Sequence, residues 1–291
     1  MKIPEDWTDS LQNARFVAEC ALLEDRASED SATWALGGMA HRQAVCTVNA
    51  REGIVLAGLP HASLVFQLLP GGAEVTPLAA EGERVPAGGA IAVIRGTPGE
   101  ILRGERVFLN ILGRLCGIAT MTARFVEACH GTGVEILDTR KTTPCMRAME
   151  KYAVRTAGGT NHRFSLFDMA MLKDNHLAAA GGVAQLGPAM ARLRERGIPV
   201  EIEVDGLDQL REAMLLKPQR ILLDNMDTET LSKAVAMAEG SGIYLEASGG
   251  ITLDSLREVA LTGVHGISSG ALTHSVRCSD IGFDWDIPGG V

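Results

Sequence analysis

The sequence predicts an α/β protein that combines an N-terminal α+β, sandwich-like domain with an incomplete or open βα barrel of parallel strands. The second half of the chain contains six short apolar runs that are typical of buried strands. Most of them are separated by segments with apolar residues at three- and four-residue spacing, which predict helices. Such repeated units indicate a parallel sheet covered by helices. Because a complete barrel has eight strands, either two strands are hidden in a weaker pattern or the barrel is smaller or open.

Each element of the second half can be read from its own pattern. The predicted strands are VEILDTR (134–140), MAMLKD (169–174), VEIEVD (200–205), RILLDN (220–225), IYLEASGG (243–250) and HGISSG (265–270). The predicted helices between them cover residues 181–197, 207–218, 228–240 and 252–263, with Gly or Pro at their ends.

The first hundred residues have a different, α+β pattern. A helix-like segment (10–25) precedes the strand-like AVCTVNA and GIVLAG, the helix-like HASLVFQLL and a stretch punctuated by Gly and Pro. A long helical region from Glu100 to about His130 then leads into the βα repeats. We expect an N-terminal domain over 1–108, a catalytic barrel domain over 109–270, and a C-terminal segment (271–291) that packs back on the first domain.

Composition excludes several classes of protein. The formal net charge of −9 argues against a surface for nucleic acid. The start, MKIPEDWTDS, is acidic and lacks the pattern of a signal peptide, and no run reaches 18 uninterrupted apolar residues, so no membrane association is predicted. The six cysteines are scattered without a C-x-x-C pair. We therefore expect a cytoplasmic protein with reduced thiols.

The charge is distributed unevenly along the chain. Residues 138–176 contain seven Lys or Arg and four Asp or Glu, a net of +3, so the remainder carries −12. Arg147, Lys151 and Arg155 are spaced four apart, and we interpret them as a solvated helix face. The other cations lie at predicted strand ends or in loops, where a βα barrel has its active site. They are Arg140, Lys141, Arg163 and Lys173. These four predict a cationic, anion-binding mouth.

Glycine-rich turns and carboxylates also follow the predicted strands. Ser248-Gly249-Gly250 and the Ser-Ser-Gly of 268–270 could bind phosphate through backbone N–H groups, although βα turns also need glycine for backbone geometry alone. Glu203 and Asp224 end adjacent strands and could hold Mg²⁺ or stabilise a developing positive charge, unless they pair with Lys or Arg. The Glu201 side chain could lie inside the barrel, or it could have only a structural role.

The absence of several known motifs argues against some classes of reaction and binding. The sequence has no Ser-His-Asp or G-x-S-x-G pattern for acyl transfer, and no G-x-G-x-x-G or P-loop pattern for dinucleotide or nucleoside triphosphate binding. The residues therefore predict a barrel that binds a compact polyanion and a phosphorylated partner with a divalent metal. A Schiff-base aldolase that uses Lys141 or Lys173 is the mechanistic alternative.

The second half resembles the quinolinate phosphoribosyltransferase family in motif order and spacing. The matching motifs are GERVFLNILGRLCGIATMTA (104–123), LDTRKTTP (137–144), EKYAVRTAGGTNHR (150–163), LKDNH (172–176), EIEVD (201–205), ILLDN (221–225), LEASGGI (245–251) and SSGALTHS (268–275). A weaker resemblance runs through AREGIVLAGLPHASLVF and AAEGERVPAGGAIAVIRG in the first half.

The resemblance implies a reaction of NAD biosynthesis, in which quinolinate and phosphoribosyl pyrophosphate give nicotinate mononucleotide, pyrophosphate and CO₂ with Mg²⁺. It implies that quinolinate is bound by Thr139 and by cationic side chains, one of them, Arg106, reaching across from the neighbouring subunit of a homodimer. The other implied quinolinate ligands are Arg140, His162, Arg163 and Lys173. Oligomers larger than a dimer are left open.

The resemblance also implies a second group of ligands, for phosphoribosyl pyrophosphate. Lys141, Glu203 and Asp224 match the catalytic positions that handle this substrate and its metal, with the two carboxylates holding Mg²⁺ directly or through the pyrophosphate. The implied 5′-phosphate ligands are Ser248, Gly249, Gly250, Ser269, Gly270 and Ala271.

Two places depart from the family pattern. Cys145 follows Pro144 where the family usually has Gly, and 24–36 lacks a Gly-Asp-Leu/Val-Thr-Thr/Ser motif. One alternative is a close paralogue associated with molybdenum transport, which shares the fold and some motifs, and another, from a different class, is a catalytically silent metabolite-binding protein. The intact DTRKTTP and KDNH segments favour the quinolinate enzyme over the first, and Lys141, Glu203 and Asp224 favour it over the second.

Overall fold

The computed structural model describes residues 3–286, which form two compact units. The helices are α1 (Ser10–Glu24), α2 (Ser31–Ala35), α3 (Leu59–Leu68), α4 (Pro98–Ala128), α5 (Arg147–Thr156), α6 (Asp174–Ala180), α7 (Gly187–Glu195), α8 (Leu207–Leu215), α9 (Thr228–Ala238), α10 (Leu256–Ala260) and α11 (Ala271–His274). The strands are β1 (Ala44–Ala50), β2 (Ile54–Val55), β3 (Glu74–Pro77), β4 (Arg84–Val85), β5 (Ala90–Gly96), β6 (Glu135–Leu137), β7 (Ala170–Leu172), β8 (Val200–Val204), β9 (Arg220–Asp224), β10 (Tyr244–Ser248), β11 (Gly266–Ser268) and β12 (Ile281–Trp285). Short 3₁₀ turns cover Ala27–Glu29, Gly37–His41 and Val183–Leu186.

The first unit is discontinuous in sequence. It takes residues up to Ala123, Thr142–Gly158 and the chain from Thr273 onward. The contacts therefore group 109–123 and 142–158 with the N-terminal residues, whereas the expected division at residue 108 assigned them to the barrel domain. The domain boundary at residue 108 stays a prediction. Of the expected C-terminal segment, 287–291 lie outside the described residues.

A four-stranded antiparallel sheet of order β12-β1-β5-β3 organises the first unit. In β1, Cys46, Val48 and Ala50 are buried and alternate with half-buried residues, as expected where one face of a sheet packs on a core. That core includes Phe66 of α3 and Phe108 of α4, whose ring centroids lie 5.3 Å apart. Burial of aromatic side chains of this size makes a large contribution to stability.

Two glycines of α4 allow the C-terminal segment to lie directly against this helix. A Cβ atom at Gly117 would stand 2.3 Å from the carbonyl oxygen of Arg277, and one at Gly113 would stand 2.9 Å from that of Ser279. Any larger side chain at Gly117 would push the segment away, because the obstructing atom belongs to the backbone. The segment then continues into β12, which pairs with β1 from Cys46↔Trp285 to Ala50↔Ile281.

The second unit contains residues 124–141 and 159–272 and is built on a parallel sheet of order β6-β11-β10-β9-β8-β7. All six predicted strands are present, so the predicted α/β class with parallel strands is confirmed. Within the described residues the edge strands β6 and β7 do not pair with each other; the segment after α5 lies beside β6, through a parallel bridge between Leu137 and Thr160. The sheet is therefore open. Among the described helices, none is long and apolar enough to cross a membrane.

The predicted solvated face of α5 is wrong at Lys151. Only Arg155 of the three cations is exposed, Arg147 is half-buried and Lys151 is 2% exposed. The reason is that α5 packs against α1 and buries most of its surface within the first unit. The neighbouring Glu150, also fully buried, accepts from Arg114 Nη2 at 2.9 Å and from the Thr143 N–H at 3.2 Å.

The turn before α5 explains one departure from the family pattern. Cys145 has a φ of +62°, in a region that residues other than Gly, Asn and Asp rarely adopt. The turn is fixed by buried Asn13, whose side chain donates to the Cys145 carbonyl oxygen at 2.6 Å. Glycine would adopt this conformation without steric cost.

We predict that Cys145→Gly is more stable than Cys145→Ala by about 1 kcal/mol, because only glycine relieves the strain at this φ. The measurement is the midpoint of thermal and urea unfolding for both variants. Cys278→Gly is the control, since Cys278 is also an exposed cysteine but has no positive φ. Equal stability of the two Cys145 variants would contradict the strain.

Candidate functional site

The carboxyl ends of the parallel strands bring most of the predicted site residues to one edge of the second unit. We call this the carboxyl edge, meaning the last two residues of each strand from β6 to β11 and the loop that follows them. Asp224 of β9 is the register partner of Ser248 of β10, and Glu203 of β8 that of Leu222 of β9. Glu203, Asp224 and Ser248 thus come from three neighbouring strands at this edge, where barrel enzymes have their catalytic groups.

Lys173 and Glu203 form an ion pair at the carboxyl edge. Lys173 Nζ lies 3.1 Å from Glu203 Oε2, with 43% and 17% of the two side chains exposed. The possibility that Glu203 pairs with a lysine, left open by the sequence, is therefore realised. A pair of this exposure contributes about 1 kcal/mol or less, so a ligand anion or a cation can separate it at little cost.

The turn after β9 orients Asp224 through its neighbour Asn225. The Asn225 side-chain amide donates to Asp224 Oδ2 at 2.7 Å, and the Asn225 backbone N–H donates to the Ser248 carbonyl oxygen at 2.9 Å. Asn225 has a φ of +53°, which asparagine tolerates better than most residues. Sequence reasoning found Asn225 at a strand end but did not select it, because a local bond of this kind leaves no periodic signal.

The two predicted phosphate loops also lie at the carboxyl edge. Gly249 and Gly250 have φ of +95° and +61°, so backbone geometry alone accounts for both glycines. A Cβ atom on Gly249 would stand 2.2 Å from Asn225 Oδ1, whereas one on Gly250 would meet nothing within 4 Å. In the other loop, the Ser269 N–H donates to the Leu137 carbonyl oxygen at 3.1 Å, and Ser269 Oγ accepts the Ala271 N–H at 3.3 Å. Gly270, between them, is half-buried.

The predicted cations also gather in this unit. Burial is the main cause that lowers the pKa of Arg163, and the positive charge of Arg140 lowers it further. A guanidinium group whose pKa is lowered by a second cation is stabilised by an anion beside it. Arg163 Nη1 donates a hydrogen bond to the Met169 carbonyl oxygen at 3.1 Å, which orients the guanidinium group. In the loop after β6, the Thr139 hydroxyl accepts a hydrogen bond from the backbone N–H of Lys141 at 3.0 Å.

His162 is held by buried carboxylates that sequence reasoning did not select. Its backbone N–H donates to Oδ1 of fully buried Asp138 at 2.9 Å. Its ring Nε2 lies 2.9 Å from Glu201 Oε2 and 3.2 Å from Glu246 Oε2. Burial lowers the pKa of His162, but the two carboxylates outweigh it and raise the pKa to about 9. Burial in turn raises the pKa of Glu201, against the favourable contact with His162.

The predicted site residues therefore divide between the two units. Every predicted catalytic, quinolinate and phosphate residue except Arg106 belongs to the second unit. Arg106 is an exposed residue of α4 in the first unit. Besides the predicted metal ligands Glu203 and Asp224, the described residues contain a second group that offers metal-ligating atoms, namely His162, Glu201 and Glu246, whose ligand atoms lie within 4.8 Å of one another.

Two family models cover nearly all of the chain. The model described as "Quinolinate phosphoribosyl transferase, C-terminal domain" matches residues 118–284, and the corresponding N-terminal model matches 29–116. The chain belongs to the quinolinate phosphoribosyltransferase family. This membership confirms the resemblance that the motifs of the second half indicated.

Named relatives support the same family. The chain is 42% identical over 252 residues to a probable nicotinate-nucleotide pyrophosphorylase [carboxylating] from Synechocystis, covering 86% of this chain and 85% of that protein. It is 41% identical to the nicotinate-nucleotide pyrophosphorylase [carboxylating] from Mycobacterium leprae, covering 80% and 84%.

Solved structures of the family share the fold. The nicotinate-nucleotide pyrophosphorylase of Francisella tularensis superposes with a TM-score of 0.89 at 34% identity, covering 98% of each chain. The enzyme of that name from Ehrlichia chaffeensis gives a TM-score of 0.87 at 32% identity, covering 98% of this chain and 100% of that one. The quinolinate phosphoribosyltransferase fold therefore extends over both units.

We predict that Gly249→Ala destabilises the protein by about 2 kcal/mol, because the new Cβ must displace Asn225 as well as adopt a positive φ. Gly250→Ala is the matched control, because Gly250 has a positive φ but open space around its Cα. We expect it to lower the free energy of unfolding by about 1 kcal/mol. Urea unfolding of both variants measures the difference. If the two substitutions lower the free energy of unfolding equally, the close approach of Asn225 to Gly249 does not contribute to the loss.

Proposed function

We propose that this protein transfers the phosphoribosyl group of phosphoribosyl pyrophosphate to quinolinate with loss of CO₂, giving nicotinate mononucleotide for NAD biosynthesis. One observation carries the proposal: in a chain of this family, the carboxyl edge combines a cluster of cations with carboxylates on neighbouring strands and two glycine-rich turns. The names of its relatives favour this reaction over that of the molybdenum-associated paralogue.

Quinolinate recognition is assigned to the cations of the second unit. Quinolinate carries two carboxylates, and charge-assisted bonds from arginine are well suited to planar carboxylates. The positive charge of Arg140 lowers the pKa of Arg163, so a dianion beside Arg163 would offset this repulsion. Lys173 would leave Glu203 to bind a substrate carboxylate, and Thr139 would add a neutral contact.

Binding of phosphoribosyl pyrophosphate is assigned to Lys141, the carboxylates and the two turns. Ser248–Gly250 and Ser269–Ala271 would take the 5′-phosphate through backbone N–H and hydroxyl groups. Glu203 and Asp224 offer oxygen ligands from neighbouring strands, the type that Mg²⁺ prefers, so the residues fit this ion. When bound, Mg²⁺ neutralises the charge of the departing pyrophosphate.

These residues suit a reaction without a strong general base. The bond between C1′ and the pyrophosphate oxygen breaks with its electron pair on pyrophosphate, which Lys141 stabilises as it departs. The ribose gains oxocarbenium character, which nearby carboxylates can stabilise, and the quinolinate nitrogen bonds to C1′. The pyridinium ring then accepts the electron pair of the departing 2-carboxylate, and a proton from solvent replaces CO₂.

The proposed homodimer completes the quinolinate site with Arg106 of the neighbouring subunit. Arg106 is exposed on α4, as a residue offered to another subunit must be. A site shared in this way requires two copies of the chain, which makes the dimer part of the catalytic unit.

The activity is tested by incubating the protein with Mg²⁺, phosphoribosyl pyrophosphate and quinolinate and identifying the product by mass. We expect nicotinate mononucleotide and an equal amount of CO₂, and no product when Mg²⁺ is removed by a chelator. No product with all components present, or equal product from nicotinate, would contradict the proposal. Borohydride should trap no lysine adduct, in contrast to an aldolase.

We predict that Arg140→Ala and Lys173→Ala each raise the KM for quinolinate on the order of tenfold or more, because each removes a charge-assisted bond. The KM for phosphoribosyl pyrophosphate should change little. Steady-state kinetics measure both constants. Lys233→Ala is the control, since Lys233 is an exposed lysine of α9 that pairs with Glu229. Normal quinolinate affinity in both site variants would refute the charge argument.

We predict that Arg106→Ala and Lys141→Ala, each inactive alone, regain activity when they are mixed and allowed to exchange subunits. A mixed dimer has one site in which both residues are intact, so activity should reach about a quarter of the wild-type value. The assay of product formation measures the recovery. Absence of recovery, with subunit exchange verified by mass spectrometry, would rule out that Arg106 acts across the dimer.

A further inference from the structure

One guanidinium group of the first unit binds two separate stretches of the chain. Arg114 of α4 donates to Glu150 Oε1 from Nε at 3.0 Å and from Nη2 at 2.9 Å. Its Nη2 also donates to the Thr143 hydroxyl at 3.3 Å. The same side chain donates from Nη1 to the Val276 carbonyl oxygen at 3.3 Å and from Nη2 to that of Thr273. All five residues belong to the first unit.

Glu150 binds the first of these stretches with its other oxygen. Oε2 accepts the backbone N–H of Thr143 at 3.2 Å, so Thr143 is bound at both its N–H and its hydroxyl. The preceding Thr142 is also held, because its hydroxyl accepts a hydrogen bond from Arg147 Nε at 3.0 Å. The Glu150 side chain is fully buried and that of Arg114 is 16% exposed. Loss of either charge would leave the other uncompensated, which is costly for a buried group.

The second stretch lies directly against α4 at the residue beside Arg114. A Cβ atom at Gly113 would stand 2.9 Å from the Ser279 carbonyl oxygen, and the Ser279 N–H donates to the Gly113 carbonyl oxygen at 2.9 Å. Together with the bonds to Thr273 and Val276, this gives the stretch three contacts with two consecutive residues of α4. These contacts fix its backbone against the helix.

Both stretches directly follow residues that are assigned to phosphoribosyl pyrophosphate. Thr143 comes two residues after Lys141, and Thr273 comes two residues after Ala271, the last residue of the proposed phosphate loop. Two residues of fully extended chain span about 7 Å at most. A backbone that is fixed at Thr143 and at Thr273 therefore restricts the positions that Lys141 and Ala271 can take.

We propose that Arg114 and Glu150 are positioning residues for transfer of the phosphoribosyl group. They bind the chain just after Lys141 and just after Ala271, and so fix the ends of the two loops that carry these residues. This inference rests on the proposed function, because it concerns how the two loops are presented to phosphoribosyl pyrophosphate. Sequence reasoning selected neither residue for the site, since their contacts join segments that are far apart in the chain.

The chemistry of arginine separates this role from simple charge compensation. Its planar fork of five N–H donors binds a carboxylate, a hydroxyl and two carbonyl oxygens at once, whereas lysine has three donors on a single atom. Arg114→Lys therefore keeps a positive charge beside Glu150 but cannot reproduce the contacts to both stretches. We expect this variant to fold and to lose the positioning of the two loops.

The first test measures backbone amide hydrogen exchange by mass spectrometry in the wild type, Arg114→Lys and Arg51→Lys. Arg51 is a matched control, because it also pairs with a carboxylate of the C-terminal segment, Asp284, at 2.6 Å. We expect Arg114→Lys to raise exchange on the order of tenfold in 142–146 and in 273–279, and Arg51→Lys in neither. Unchanged exchange in either stretch would overturn the proposal. Faster exchange throughout, β8 included, would show a role in folding alone and would also overturn it.

The second test measures steady-state kinetics of the same proteins and of Glu150→Gln. Arg114→Lys and Glu150→Gln should raise the KM for phosphoribosyl pyrophosphate on the order of tenfold and lower kcat, because Lys141 also stabilises the departing pyrophosphate. The KM for quinolinate should rise by a smaller factor, since most of its proposed ligands lie in other segments, and Arg51→Lys should change neither constant. Equal rises in both KM values, or a lower kcat with both unchanged, would contradict positioning.

The wild-type protein separates the two levels of the account. If it forms no nicotinate mononucleotide, the proposed function fails and the positioning role fails with it. If it is active and both variants keep wild-type kinetics, only the inference about Arg114 and Glu150 is refuted.

Discussion

In a parallel sheet every strand ends at the same edge, and the chemistry of this protein depends on that constraint. The order β8-β9-β10 with the pairs Glu203↔Leu222 and Ser248↔Asp224 brings two carboxylates and a glycine-rich turn together from three consecutive strands of the chain. The register of the sheet therefore sets the relative positions of Glu203, Asp224 and Ser248.

Charge in the second unit is arranged in two layers along this sheet. The upper layer, at the carboxyl edge, contains the half-exposed pair of Lys173 and Glu203, which separates easily. The lower layer contains Glu201 and Glu246, both without exposed surface, and a buried carboxylate that loses its partner is costly. The lower layer is thus suited to hold groups in place, and the upper one to exchange partners with a ligand.

The six strands and the location of the site could be predicted from sequence because continuous apolar runs and polar strand ends are local signals. The burial of Lys151 could not, because it depends on α1, more than a hundred residues away in sequence. The same limit applies to Asp138, Glu201 and Glu246: their roles depend on His162, which the chain brings to them from another loop. For the positive φ of Cys145, the only signal in the sequence was that the family usually has glycine at that position.

The central claim is that clustered cations at the carboxyl edge select a dicarboxylate. The most direct measurement is calorimetric titration of the protein with quinolinate and, separately, with nicotinate, which lacks the 2-carboxylate. Loss of charge-assisted bonds to one carboxylate should weaken binding on the order of tenfold to a hundredfold, and added salt should reduce the difference. Equal affinity for the two compounds at low salt would contradict the account.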